Sequence, residues 1–258
     1  MIPLVTACDQ VETGIASGEV QVGLVDGDLG IAHSVCPTTR VGFTAGGAAI
    51  VETENLYGRI LGTGILKGSL AISRKTEVYA SIEGLRYDSL IAPISSSAIG
   101  PGYTDLGLST QVFATDTYVL AVQGKLVLPT AFTIDKHSWP LAADVGFAAS
   151  WDPSRHWAVH GSLMGMYGMA TSGGPIYPRA GITLDLGGEW HATKGFSLVV
   201  DARGGFLYTD PLDVVSAGLG IRGAIGKHAG LALEVVKPLA GRERTLAAGE
   251  LRFDWRFK

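Results

Sequence analysis

Toward the C-terminus, apolar and charged positions alternate without a break. Leu251, Phe253, Trp255 and Phe257 interleave with Glu250, Arg252, Asp254 and Arg256, so an extended chain here has one wholly apolar face and one wholly charged face. A helix would scatter the same charges around every side. Two environments produce such a strand: a wall with lipid on one side and water on the other, or the edge of a soluble sandwich. The rest of the chain separates them.

The same period-2 sorting recurs upstream. Tyr118, Leu120, Val122, Leu126 and Leu128 oppose Gln123 and Lys125, and Ile182, Leu184, Leu186 and Trp190 oppose Arg179, Thr183, Asp185 and Glu189. Strands are expected at roughly 40–52, 57–73, 77–88, 102–113, 117–129, 140–151, 156–167, 179–190, 196–208, 213–225, 230–238 and 247–257. Most approach the roughly 9 to 11 residues that cross a bilayer at a tilt. Their connections alternate in length. Short turns are expected at 74–76, 114–116, 152–155, 191–195 and 226–229, and longer loops at 89–101, 130–139, 168–178 and 239–246.

That rhythm is the one found in outer-membrane barrels, which have short turns on the periplasmic side and longer loops outside. The expected fold is therefore all-β: a closed antiparallel transmembrane β-barrel of about 12 strands over residues 40–258. Short segments at 19–24 and 29–35 would raise the count to 14 if both joined the wall. An even count puts both termini on the periplasmic side. Residues 1–39 then form a leader remnant followed by a periplasmic arm or a plug.

Aromatic residues flank the short turns. Phe113 and Tyr118, Trp151 and Trp157, and Trp190 and Phe196, with Trp255 and Phe257 on the last strand, form an expected girdle at the headgroup boundary. On the opposite parity, the expected lumen holds Glu83, Asp105, Lys125, Asp144, His160, Asp185, Glu189, Asp201, Arg203, Arg222, Glu234, Glu250, Arg252, Asp254 and Arg256. An Arg or Lys facing lipid at the midplane costs about 2–4 kcal/mol, which assigns these charges inward. They either pair into a network that fills the barrel or line a water-filled path that biases which solutes pass.

Composition agrees with this picture. Hydrophobic residues make up 47% of the 258 and charged residues 17%, with a mean hydropathy of +0.27, yet no apolar run nears the roughly 18 to 20 residues of a spanning helix. A net charge of -4 argues against a nucleic-acid partner. The expected partners are outer-membrane lipid, the barrel-assembly machinery through the C-terminal strand, and a small-molecule solute. The two cysteines allow two readings. Val5-Thr6-Ala7-Cys8 looks like the end of a lipoprotein signal, which would lipidate Cys8; alternatively Cys8 pairs with Cys36 as a disulfide in the oxidising periplasm.

One hairpin carries a family likeness. Gly102-Tyr103-Thr104-Asp105-Leu106-Gly107-Leu108, followed by Lys125-Leu126-Val127-Leu128-Pro129-Thr130-Ala131, resembles the outer-membrane family named for the MetA pathway of phenol degradation, related in style to the FadL-like channels for hydrophobic compounds. The likeness spans about 30 residues. Thr104 and Ala131 stand where that family has glycines, and Lys125 lies farther from Pro129 than is usual. The resemblance implies passive uptake of small apolar or aromatic molecules.

Catalytic and metal chemistry find little support in the pattern. His160 and Ser162 share a face, with Asp144 on the neighbouring strand, so a Ser-His-Asp constellation can be drawn. Residues two apart on a strand are about 6 to 7 Å apart, which does not favour the needed hydrogen bond. His156 and His160 are too distant on a strand for one zinc, and no phosphate loop ends in Gly-Lys-Ser/Thr. No catalytic residue, cofactor or metal is assigned. Sequence thus leaves a channel for small molecules, a plugged structural or partner-binding barrel, and, third, a barrel-borne hydrolase.

Overall fold

The fold is taken from a computed structural model, which describes residues 35–52, 57–91, 96–130, 141–154, 156–171, 176–193, 195–207, 214–226, 228–241 and 243–257. Its elements are β1 (Arg40–Glu52), β2 (Tyr57–Ala71), β3 (Thr76–Leu90), β4 (Ser96–Gly100), β5 (Thr104–Ala114), β6 (Tyr118–Leu128) and β7 (Leu141–Ser154). They continue as β8 (Trp157–Thr171), β9 (Ile176–Thr193), β10 (Phe196–Leu207), β11 (Val214–Ile225), β12 (Ala229–Gly241) and β13 (Glu243–Arg256). All pairings are antiparallel. Apart from β4, which pairs only with β3, neighbours in sequence are neighbours in the sheet; β5 pairs with β3, and β1 pairs with β13, which closes the wall.

Twelve of these thirteen strands make the ring, with β4 as an addition. Closure gives each of the twelve ring strands a partner on both sides, which a lipid environment requires. The seam runs in register from Arg40↔Arg256 to Ala49↔Ala247. Of the two segments that would have made a fourteenth strand, 19–24 and nearly all of 29–35 lie outside the described residues; the ring is already closed at twelve.

β4 sits above β5 along the same edge of β3. β3 pairs with β5 along Thr76–Ile82 and with β4 along Arg86–Leu90. Between the two, Pro101 has no N–H to donate. Gly102 N instead bonds Glu83 O at 2.7 Å and Glu83 N bonds Tyr103 O at 2.9 Å, which bridges the gap. A bulge at Gly84 adjoins this point on the β2 side. The bulge resets the alternation of β3, so that Leu85 and Tyr87 rather than Arg86 face outward.

Tight turns are built from one local device. Ser73 Oγ accepts from Lys75 N and Thr76 N, and Thr115 Oγ1 accepts from Thr117 N and Tyr118 N. Ser154 Oγ accepts from His156 N, and Thr193 Oγ1 accepts from Gly195 N. In each case a hydroxyl stands in for the ladder partner lost where the chain reverses. The fifth turn uses Gly226 at φ 66°.

At the opposite end the expected loops are largely strand. β8 reaches Thr171 and β9 starts at Ile176, while β12 reaches Gly241 and β13 starts at Glu243, so 168–178 and 239–246 are mostly paired and 89–101 contains β4. Glycine and proline made these stretches read as loops. The ladder continues through them all the same: Pro178 lies opposite Met169, and a bulge beside Pro238 absorbs the missing donor. The wall therefore rises past the height a bilayer needs. Of the long loop expected at 130–139, all but Thr130 lies outside the described residues.

Candidate functional site

The outer surface is apolar from β1 to β13. Leu219 (67% exposed), Val145 (63%) and Val200 (55%) mark it at mid-height, and Leu251, Phe253, Trp255 and Phe257 mark it on the last strand. Around the turn end sit the eight aromatic residues expected there. Tyr118 faces Trp151 and Trp157 faces Trp190 across neighbouring strands; ring centroids lie 6.1 Å apart for Phe113–Tyr118 and 6.5 Å for Trp157–Trp190.

All fifteen charged residues expected in the lumen lie on the inward parity. Glu83, His160, Asp185, Glu189, Asp201, Arg222, Glu234, Arg252 and Arg256 are buried, while Asp105, Lys125, Asp144, Arg203, Glu250 and Asp254 are half-buried. The alternation also puts Arg40, Lys67, Glu77, Tyr79, Gln111 and Gln123 inside. Counting by twos from Glu83 would have found Glu77. Arg86 could not be found that way, because the bulge at Gly84 changes the parity.

These side chains form four groups. On β10 to β13, Arg203 bonds Asp201 at 2.6 Å and also Glu234, while Arg252 bonds Glu250 at 2.7 Å and lies 3.7 Å from Glu234. Asp201, Arg203, Glu234, Arg252 and Glu250 are thus one continuous network. Lower down, Glu189 is fully buried and accepts from Ser197 Oγ and, at 3.3 Å, from Arg222 Nη1. His160 Nε2 and His191 Nδ1 stand 3.7 and 3.8 Å from the same carboxylate.

Lys125 pairs with Asp144 at 3.0 Å across β6 and β7, and Ser162 Oγ donates to Asp185 at 2.9 Å. Near the strand break, Glu83 Oε2 accepts from Tyr103 N, Arg86 covers the Tyr103 ring, and Ser81 Oγ donates to Asp105.

Glycines under these groups keep the side chains flat. A Cβ on Gly218 would stand 1.9 Å from Asp201 Oδ1 and 2.8 Å from Glu234 Oε1, and one on Gly42 would stand 2.4 Å from Asp254 Oδ1. The Tyr79 ring lies where a Cβ of Gly107 would be, 2.1 Å away, and the Glu83 carboxylate does the same at Gly102. At these four positions a polar side chain lies over a glycine of a neighbouring segment.

The chain before β1 turns inward at the turn end. Val35 and Cys36 are buried on Val119, Ala121 and Ala148, with Ala114 beside them, on the lumenal face. Gln111 Nε2 donates to Val35 O at 3.1 Å, Thr38 N to Glu77 Oε2 at 3.0 Å, and Ser69 Oγ to Thr38 O at 2.7 Å. Cys36 is a disulfide cysteine; the other cysteine, Cys8, lies outside the described residues.

Comparison with known proteins bears on the fold. No protein-family model matches the sequence, and no curated protein matches it. Solved outer-membrane barrels do match in structure. An outer-membrane channel from Pseudomonas putida F1 is similar at a TM-score of 0.65 and 12% identity, over 89% of this chain and 99% of that one. The translocator domain of the autotransporter NalP from Neisseria meningitidis gives 0.59 and 11%, over 100% of both chains. The KdgM porin, solved with disordered oligogalacturonate, gives 0.55 and 9%, over 85% and 99%. At such identities the likeness establishes an outer-membrane-type barrel.

The Ser-His-Asp grouping drawn from the sequence does not form. Ser162 bonds Asp185, and Asp144 pairs with Lys125. His160 instead bonds Ser150, its Nδ1 lying 2.8 Å from Ser150 Oγ. Ser150 is itself buried on the lumenal face. His156 lies exposed at the turn, away from His160 in the lumen. Among the described residues no group of three or more His, Cys, Asp or Glu is placed to hold a metal ion.

Proposed function

We propose that this chain is a bacterial outer-membrane channel for the passive passage of small molecules, with the turn end and both termini in the periplasm. The supporting observation is the lining. One inner face carries charged and hydroxyl side chains around the ring, and glycines at Gly42, Gly102, Gly107 and Gly218 let those side chains lie along the wall. In this reading those polar groups line a hydrated path. The solved channels of similar fold fit this reading. A translocator domain shares the fold too, so the fold by itself does not carry it.

Small polar solutes suit this lining better than the apolar or aromatic molecules implied by the MetA-pathway resemblance. The main apolar patch on the lumenal face, Val119, Ala121 and Ala148, is covered by Val35 and Cys36. Residues 1–39 act as the arm or plug in this reading, with Val35–Thr39 as the part that narrows the periplasmic mouth. Assembly through the C-terminal strand by the barrel-assembly machinery belongs to the same proposal.

The ion-paired lining favours one other reading, a barrel filled by its own side chains whose role is structural. Liposome swelling separates the two. Vesicles carrying the folded protein should swell in isotonic solutions of small sugars, at rates that fall as the sugar grows. Rates equal to those of protein-free vesicles would leave the structural reading.

A further inference from the structure

Among the described residues, the lumenal carboxylates Asp185 and Asp105 are held by a serine hydroxyl and make no ion pair. Asp185 is 6% exposed, on the inward parity of β9 between the outward Leu184 and Leu186. Its Oδ2 accepts from Ser162 Oγ at 2.9 Å, and its Oδ1 has no hydrogen-bond partner. Arg203 stands opposite it in register on β10, but that guanidinium is engaged by Asp201 and Glu234. The nearby base Lys125 is engaged by Asp144.

Asp105 repeats the arrangement on β5. Ser81, opposite it on β3, donates its hydroxyl to Asp105 Oδ2 at 3.2 Å, and among the described residues Asp105 makes no ion pair. A serine hydroxyl orients a carboxylate without bringing positive charge to it. An ionised carboxylate taken from bulk water with no counter-charge is costly. In a hydrated path, a mobile cation supplies that charge.

We propose that the serine-held carboxylates Asp185 and Asp105 are cation-binding positions in the lumen and make the channel selective for monovalent cations over anions. This rests on the channel reading above. The two positions lie on separate walls, β9 and β5, so a passing cation meets fixed negative charge from more than one side. The Lys125–Asp144 pair contributes little to this preference because its charges cancel, whereas the network of Asp201, Arg203, Glu234, Arg252 and Glu250 keeps one carboxylate in excess of its two guanidinium groups, a contribution that both Asn variants leave in place.

Reversal potential in a planar bilayer tests the assignment, using the full chain in a KCl gradient of roughly tenfold at low ionic strength, where screening is weakest. The full chain should show a potential of the sign given by K+ passing more readily than Cl−. Asp185→Asn and Asp105→Asn should each lower the K+/Cl− permeability ratio by roughly twofold or more, and Asp185→Glu should retain it. Folding of each variant is checked by its heat-modifiable migration on a gel, and Asp105→Asn keeps the test decisive if Asp185→Asn folds poorly. A Cl− preference in the full chain, or a ratio unchanged by both Asn variants, overturns this assignment and leaves the channel standing. Absence of openings in every variant, with insertion verified, overturns the channel reading and this inference with it.

Discussion

Arg203 on β10 bonds Glu234 on β12, reaching over the whole of the intervening strand. The reach is open because β11 presents Gly218 and Gly220 at that height, and a Cβ on Gly218 would collide with both Asp201 and Glu234. A sheet normally pairs side chains between adjacent strands. Here two backbone-only positions let a charged network cross three strands while staying close to the wall.

Replacing Gly218 by valine should therefore break that network. The expected loss is about 1–3 kcal/mol, the usual cost of forcing bulk into a packed site, seen as a lower urea midpoint in detergent. Gly205→Val is the matched control, since a Cβ there meets nothing within 4 Å; its midpoint should move far less.

On the outer face, Leu219 is 67% exposed and directly adjoins Gly218 and Gly220 of the lumenal parity. Leu219→Arg should cost about 2–4 kcal/mol of folding free energy in lipid vesicles, the penalty for a lipid-facing cation near the midplane. A negligible cost would mean that this face does not meet hydrocarbon.

Trp157 and Trp190 stand opposite each other with centroids 6.5 Å apart and both rings exposed. A double-mutant cycle with Trp157→Ala and Trp190→Ala should give a coupling of about 0.5–1.5 kcal/mol. In lipid the single variants should also lower the fraction that folds, by weakening the anchor at the headgroup boundary.

At the β11–β12 turn, Gly226 has φ 66°. Gly226→Val should destabilise by about 1–2 kcal/mol through the left-handed backbone, whereas Gly226→Asn should cost clearly less, because asparagine tolerates that region. The same unfolding curves read both.

The alternation that identified the barrel survived because side chains on a strand have a period of two and the two faces meet opposite environments. For that reason the faces of Leu251 to Phe257 and of the fifteen charged residues expected in the lumen are legible in the sequence. Parity fails where a bulge inserts a residue. Arg86 was missed beyond Gly84, and β4 was hidden behind Pro101, whose composition signals a loop while Gly102 and Glu83 still hold the ladder. Partners within the lumen were less legible. Ser150 lies across the register from His160 on the adjacent strand, and only the pairing of strands makes it, rather than Ser162, the histidine's hydrogen-bond partner.

Single-channel recording of the folded full chain in a planar bilayer tests the central claim most directly. Discrete, repeated openings are the expected result, with a conductance that changes when the seat of Val35 is weakened by Gln111→Ala. A silent bilayer, with insertion verified by protease protection of the barrel, would contradict the channel and identify the lumen as closed by its own side chains.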